Sequence, residues 1–216
     1  GWYAKVAAAD QIDGLTLPQS FGKYTHTFSK GKQELCYGSR AITVSILANR
    51  ARWVKRNDDF DGSIDYREGD TRHIQWLCAL FLTPDLGKYV PVVLTTKGSQ
   101  VKKFNAAQKA WREAIDAADP KLARYPISAF AITVGSFGQK PVYEPAGEYT
   151  ITPISAPAPI AEPVKRLIPR QLVGELTNLR VKASDWLVAW NKRYGNPTTQ
   201  PMVASSPAAA GEDIPF

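Results

Sequence analysis

Alternating hydrophobic and polar positions dominate the first two thirds of the chain. The stretch "AITVSIL" (41–47) places Ile42, Val44 and Ile46 on one face of an extended strand, and "FGKYTHTF" (21–28) alternates in the same way. The run "IQWLCALFLT", the turn "PDLG" and "KYVPVVLTT" (74–96) predict a hairpin. Its second strand contains Pro91, which predicts an edge position or a bulge because proline cannot donate to the ladder.

Helical spacing appears in two later segments. From Val101 onward apolar residues recur every three or four positions until Pro120, with Ser99 as the candidate N-cap, and this predicts a helix over about 100–118. Leu, Trp and Tyr residues recur at the same spacing between 164 and 195, which predicts one broken helix or two short ones. The intervening "TPISAPAPIAEP" (152–163) is typical of a Pro/Ala spacer.

These patterns predict an α+β protein with one principal domain. Residues 1–151 are expected to form a β-rich small barrel of OB-like type with one inserted helix, followed by the spacer and by the helical segment 164–195. Residues 197–216 are rich in Pro, Ala, Ser and Thr and contain no Lys or Arg. Such a composition buries too little apolar surface to offset chain entropy, so a disordered tail is predicted.

Charge favours a polyanionic partner. The chain carries a net charge of +7 with a pI near 9.4, and because the tail contributes only Glu212 and Asp213, the remainder carries +9. The apolar run 74–83 is too short to cross a bilayer as a helix, so no membrane span is expected. Cys36 and Cys78 show no CxxC spacing, which argues against a zinc ribbon.

Residues 21–56 combine cations with aromatic rings, as single-strand binding requires: cations neutralise phosphates and rings stack on bases. This segment contains eight Lys and Arg residues and a single acidic residue, Glu34. As one long strand, the end of this segment would place Arg50, Arg52 and Arg56 on one face and Trp53 with Lys55 on the other. The predicted nucleic-acid-binding residues are Lys23, Tyr24, Phe28, Lys30, Lys32, Tyr37, Arg40, Arg50, Arg52, Trp53, Lys55 and Arg56. Lys97, Lys102 and Lys103, close to the start of the predicted helix, are second-rank candidates, because cations there oppose the helix dipole unless an anion lies nearby.

The last six residues, "GEDIPF", are predicted to be a protein-docking peptide. A Phe side chain buried in a partner's pocket contributes about 1.5–3 kcal/mol, and neighbouring carboxylates can pair with Arg or Lys at the pocket rim. Pro215 restricts Ile214 to extended geometry, which lowers the ordering cost of binding. The predicted protein-binding residues are Glu212, Asp213, Ile214, Pro215 and Phe216.

This ending resembles that of bacterial single-stranded DNA-binding proteins and several phage counterparts, which end in a flexible linker and an acidic tip of the form D-D-D-I-P-F. The resemblance covers only the tip and its linker, with Glu212 in place of one Asp and fewer acids in total. It implies a protein that coats single-stranded DNA and recruits replication, recombination and repair proteins through the tip. It also implies a cytoplasmic location, in the nucleoid or in the host cytoplasm if the protein is phage-encoded. No catalytic activity and no cofactor are expected, and homo-oligomer formation is left open.

Three alternatives stay open from the sequence. The stretch "NDDFDGSIDYRE" (57–68) fits a calcium-loop template, with Asn57, Asp59, Asp61, Asp65 and Glu68 at ligand positions, although its flanks are strand-like. A solvated hairpin tip is the other interpretation of this stretch, and its net charge of −5 over residues 57–70 predicts a position away from bound phosphates. A structural interaction protein, and a binder of RNA or duplex DNA, are the remaining alternatives. The sequence lacks a phosphate-binding GxxxxGK[ST] loop, a GxSxG elbow and HExxH.

Overall fold

The computed structural model describes residues 2–5, 15–17, 21–27, 31, 33–55, 62–63, 70–137, 142–144, 149–151, 154–156 and 162–194. The strands in these ranges are β1 (Trp2–Lys5), β2 (Gly22–Thr27), β3 (Gln33–Ser39), β4 (Ala41–Lys55), β5 (Gly62–Ser63), β6 (Asp70–Phe81), β7 (Tyr89–Lys97), β8 (Ile132–Gly135), β9 (Val142–Glu144) and β10 (Tyr149–Ile151). The α-helices are α1 (Ser99–Ala118), α2 (Arg170–Val181) and α3 (Ala183–Tyr194), with short 3-10 turns at Pro120–Arg124, Ile127–Ala129 and Pro163–Arg166.

The main sheet is antiparallel and is built around the long strand β4. Strand β6 pairs along one edge of β4, and β7 pairs with β6 through the predicted hairpin. Along the other edge of β4, β8 pairs with its first four residues and β5 with Trp53 and Val54. Pro91 of β7 lies opposite Ala79 of β6. Among the described residues no strand pairs with the other side of β7, so the predicted edge position of Pro91 is confirmed.

One face of this sheet packs against α1. Alternate residues of β4 and β6 on that face are apolar and buried, and Phe104, Trp111 and Ile115 of α1 cover them. The Trp111 indole N–H donates to the Thr133 carbonyl at 2.8 Å, and the rings of Trp76 and Phe104 meet edge to face at 4.8 Å. The apolar face of α1, produced by its helical period, and the apolar face of the sheet, produced by alternation along the strands, therefore form one core.

The opposite face packs against α2 and α3. Leu77, Ala79 and Phe81 alternate with the residues that face α1, and they form a second core together with residues of the two C-terminal helices. These helices contribute Leu176, Leu179, Ala183, Trp186 and Leu187. The segment 164–195, predicted to follow the core, thus forms the third layer of a helix–sheet–helix arrangement.

A β-bulge interrupts β4 at Leu47. Ile46 lies opposite Cys78 and Ala48 lies opposite Leu77, so Leu47 is an extra residue on its strand. Because the side-chain period of a strand is two, one extra residue moves every later side chain of β4 to the other face. Leu47 and Ala48 accordingly pack with the core under α2 and α3, whereas Ile42, Val44 and Ile46 face α1.

A smaller antiparallel sheet precedes the main one, with strand order β1-β3-β2. Its Trp2 side chain anchors it to the body, since the indole N–H donates to the Val134 carbonyl at 3.1 Å and the ring meets Phe104 edge to face at 5.6 Å. Strand β3 turns at Arg40 directly into β4. Strands β9 and β10 form a separate two-stranded ladder.

The α+β class, with antiparallel sheets, is confirmed, but the described strands form open sheets rather than a closed barrel. The helix predicted over about 100–118 is present as α1, although Ser99 is not its N-cap. Gly98 occupies that position and no side chain caps the helix. Part of the predicted spacer is packed: Ser155 exchanges backbone hydrogen bonds with Gly135 at 2.6 and 2.9 Å, and Ile154 packs against the core.

Candidate nucleic-acid interface

The structure divides the cationic segment 21–56 into two groups. Lys23, Tyr24, Tyr37 and Arg40 belong to the small sheet and its junction with β4, whereas Arg50 and the residues after it lie at the far end of β4. A strand rises about 3.3 Å per residue, so Arg40 and Arg52 are separated by roughly 40 Å along the chain. The length of β4 therefore separates the two groups.

Two members of the first group, Lys23 and Tyr37, lie on one face of the small sheet. Lys23 and Tyr37 are directly opposite each other on β2 and β3, and the Lys23 ammonium lies 5.1 Å from the centroid of the Tyr37 ring. Thr25 and Leu35 form the next pair on the same face, and Leu35 is 49% exposed. A half-buried ring, an exposed leucine and an ammonium on one pleated surface form a platform of the kind on which bases stack.

Tyr24 lies on the other face of the same sheet. Its ring covers Gly38, where an added Cβ would fall 2.4 Å from a ring carbon, so only glycine admits the ring in this position. The ring of His26 meets it edge to face at 5.8 Å, with 3.4 Å between the Tyr24 hydroxyl and His26 Nδ1. The predicted alternation of Tyr24 and His26 is confirmed, and Tyr24 is 40% exposed.

The Tyr24 phenol is held in its neutral form. Partial burial, and then the nearby Cys36 thiol, raise its pKa above the ordinary value for tyrosine.

The second group lies at one end of the main sheet. Arg52, His73 and Lys97 are register partners across β4, β6 and β7, so three basic residues form one row across the sheet. Neighbouring strands are about 4.8 Å apart, which places the backbones of this row within roughly 10 Å. In the adjacent register position Arg72 lies opposite Trp53. We call this the basic end of the main sheet.

The bulge at Leu47 decides which side of the sheet these residues occupy. Arg50 lies opposite Gln75 and therefore shares a face with Leu77, on the side of α2 and α3. The register puts Arg52 on that same face and Trp53 and Lys55 on the face of α1. An unbroken strand would have placed Arg50 on the face of Ile42, and the sequence shows no sign of the bulge.

The acidic stretch 57–69 is attached to the basic end. It follows β4, and β6 begins at Asp70, which is the register partner of Lys55. Apart from Gly62 and Ser63 this stretch lies outside the described residues, so its position away from bound phosphates stays a prediction. Its flanks are strands, as the sequence indicated. Among the described residues, no group of His, Cys, Asp or Glu could hold a metal ion.

Arg40 lies alone at the bend between the two sheets. Its side chain is exposed, and its carbonyl accepts a 2.9 Å hydrogen bond from the Ser136 N–H. Gly135 approaches the same carbonyl so closely that a Cβ on it would come within 2.2 Å of the oxygen. The bend is therefore fixed by close backbone packing against β8.

Several predicted residues lie outside the described part of the chain. These are Phe28, Lys30, Lys32 and Arg56, the calcium-template residues Asn57, Asp59, Asp61, Asp65 and Glu68, and the whole tail with Glu212, Asp213, Ile214, Pro215 and Phe216. Arg52, Trp53 and Lys55 are placed by their backbone register only.

Three residues that the sequence analysis did not select belong to the two groups. Leu35 is exposed beside Tyr37, and strand alternation alone would have put the two on one face. Arg72 and His73 belong to the basic end because β6 pairs with β4 and β7, and no local sequence pattern indicates this pairing.

Comparison with known protein families, with curated proteins and with solved structures finds no significant match for this chain. None of the described helices is both long enough and apolar enough to span a bilayer.

Proposed function

We propose that this protein binds single-stranded DNA through phosphate contacts at its two cationic groups and through base contacts on the small sheet, while residues 212–216 recruit replication, recombination or repair proteins. Phosphate contacts supply sequence-independent affinity, and aromatic faces accept any base. The proposal does not require the OB-like barrel predicted from the sequence, because an open sheet can present the same side chains.

The observation that carries the proposal is the row formed by Arg52, His73 and Lys97. Three basic residues from three strands meet although they are far apart in sequence, and Arg72 adds a fourth in the next register position. The His73 side chain is buried at 7% exposure, while Arg52 and Lys97 bring two like charges within two strand spacings of each other. A polyanion crossing this end would neutralise them.

The small sheet supports base contact in addition to charge. Lys23 lies against Tyr37, and Leu35 is exposed beside them, so a phosphate and a base could be contacted from one surface. Stacking on an aromatic side chain contributes about 1–3 kcal/mol per base. The tip would act separately, and many tails along one coated strand would raise the effective concentration of a partner.

The test is a titration of fluorescent oligo-dT with the full chain over a series of salt concentrations. A linear decrease of the logarithm of the binding constant with the logarithm of the salt concentration would report phosphate neutralisation, with a slope of about −0.7 per phosphate contacted on single strands. Duplex DNA and RNA of equal length should bind more weakly. Failure to bind oligo-dT at low salt, or stronger binding of duplex or RNA, would refute single-stranded DNA as the ligand.

Substitution of Tyr37 tests the base platform. Tyr37→Leu keeps apolar bulk but removes the stacking ring, so oligo-dT affinity should fall about 5- to 150-fold, which is the equivalent of 1–3 kcal/mol. Tyr125→Leu is the matched control, because that exposed ring also has a cation over it, Arg124 at 5.0 Å, but lies beyond the C-terminal end of α1. Equal effects of the two substitutions would contradict a platform at Tyr37.

The tip is tested independently. Removing residues 212–216 should abolish capture of partner proteins on DNA-coated beads and leave oligo-dT binding at least as tight as in the full chain. Retained capture by the truncated chain would refute the docking role without affecting DNA binding.

A further inference from the structure

The first half of α1 carries cations without compensating acids. Lys102 and Lys103 are exposed, and no ion pair is found for either one within the described ranges. Lys109 pairs with Glu113 at 3.6 Å, and Glu113 is the first acidic residue of the helix. The surface of α1 is therefore positive near its start and becomes mixed only toward its second half.

This placement is unfavourable for the helix itself. The N-terminus of a helix carries partial positive charge from its unpaired N–H groups, so lysines near it are repelled and acids are preferred. Here the first turn contains no acid, Gly98 provides no side-chain cap, and the buried Ser99 hydroxyl has no hydrogen-bond partner in the described structure. Residues that break such local preferences without compensation are characteristic of functional surfaces.

The start of α1 follows Lys97 closely along the chain and contacts the small sheet through Phe104. Lys97, a member of the basic row, is separated from Ser99 only by Gly98, and Phe104, one turn further on, contacts Trp2 of the small sheet. An open depression at this point is lined by Gly98, Ser99, Lys102, Lys103 and Ala106. The small Gly98 and Ala106 leave room there for a chain to lie against the helix.

We propose that Lys102 and Lys103 contact phosphates of the same DNA strand and link the small sheet to the basic end of the main sheet. The occupant is single-stranded DNA, because two unpaired ammonium groups beside further basic residues complement a polyanion. The inference rests on the proposed function and adds a strand path: from Lys23 and Tyr37, across the start of α1, to the row containing Lys97.

The decisive variant is Lys102→Glu/Lys103→Glu in the full chain, titrated with oligo-dT across salt concentrations. Loss of two phosphate contacts should make the salt slope shallower by about 1.4, and affinity at low salt should fall at least tenfold. The thermal midpoint should stay the same or rise, because glutamates near a helix N-terminus are favourable. Weaker binding together with equal or greater stability is a combination that simple misfolding cannot produce.

Lys88→Glu/Lys121→Glu is the matched control, since both lysines are exposed and the change in net charge is identical. Lys88 lies at the opposite end of β7 from Lys97, about 30 Å away at strand rise, and Lys121 follows the far end of α1, more than about 20 Å from Lys102 at helix rise. This control should lose only a small part of the affinity, through net charge, with its slope unchanged.

Equal losses in the two double variants would overturn the inference while leaving DNA binding intact. A wild-type chain that ignores oligo-dT would instead refute the proposed function, and the inference with it. If charge reversal lowers the thermal midpoint, Lys102→Gln/Lys103→Gln decides the matter, because it removes both charges without introducing new ones. A slope unchanged in that folded variant would also overturn the inference.

Discussion

The buried hydrogen bond between Trp76 and Thr96 gives the sharpest stability test. The Trp76 indole N–H donates to Thr96 Oγ1 at 2.8 Å, and the two residues are only 4% and 2% exposed. This bond joins β6 to β7 one residue before Lys97, so it also helps to hold the basic row in place. The perturbation is Thr96→Val, which keeps the shape of the side chain and removes the acceptor.

The expected magnitude follows from burial. An indole N–H left unpaired inside the core costs about 1–3 kcal/mol, and the added methyl group offsets at most about 0.8 kcal/mol. A net loss of about 0.5–2 kcal/mol corresponds to a fall in thermal midpoint of about 1–8 °C for a chain of this size. Thr96→Ser, which keeps the hydroxyl, should retain most of the hydrogen-bond contribution.

Urea unfolding followed by tryptophan fluorescence, with thermal unfolding in parallel, measures the effect. Thr95→Val is the matched control, because Thr95 is the exposed neighbour on the same strand and undergoes the same chemical change. It should be nearly neutral. Thr96→Val as stable as this control would refute the reasoning, since it would mean that the indole N–H is paired elsewhere or reaches water.

Two further predictions concern the junctions between layers. Burial, and then the 3.0 Å hydrogen bond to Glu175, raise the pKa of Tyr89. The contribution of this phenol to folding stability is therefore fully present below the ordinary tyrosine pKa of about 10 and is lost at higher pH. Unfolding measured from pH 8 to 11 should show stability falling above about pH 10, and falling less steeply in Tyr89→Phe; parallel curves for the two proteins would contradict this. Gly135→Ala should destabilise by about 1–3 kcal/mol or more in urea unfolding, because its Cβ would collide with the Arg40 carbonyl, and a neutral result would show that the bend can relax.

Much of the local structure could be predicted from periodicity. The hairpin of β6 and β7, the edge position of Pro91, the helix α1 and the faces of Ile42, Val44 and Ile46 all follow from side-chain spacing and from turn residues. The cap of α1 was predicted wrongly, because Gly98 adopts a positive φ of 54° that ends the strand and begins the helix without any side-chain bond. The position of a helix cap depends on the backbone dihedral angles where the helix begins, and the preference of Ser for cap positions does not determine those angles.

Composition along the chain shows an excess of Lys and Arg in 21–56, aromatic rings among them, and an acidic ending. Which of these residues lie near one another depends on the folded arrangement of the strands. The length of β4 separates Tyr37 from Arg52, the bulge at Leu47 turns Arg50 to the side of α2 and α3, and strand pairing brings His73 and Lys97 beside Arg52. Pairing between distant strands and a single extra residue in a ladder depend on contacts across the whole fold, so no local pattern along the chain encodes them.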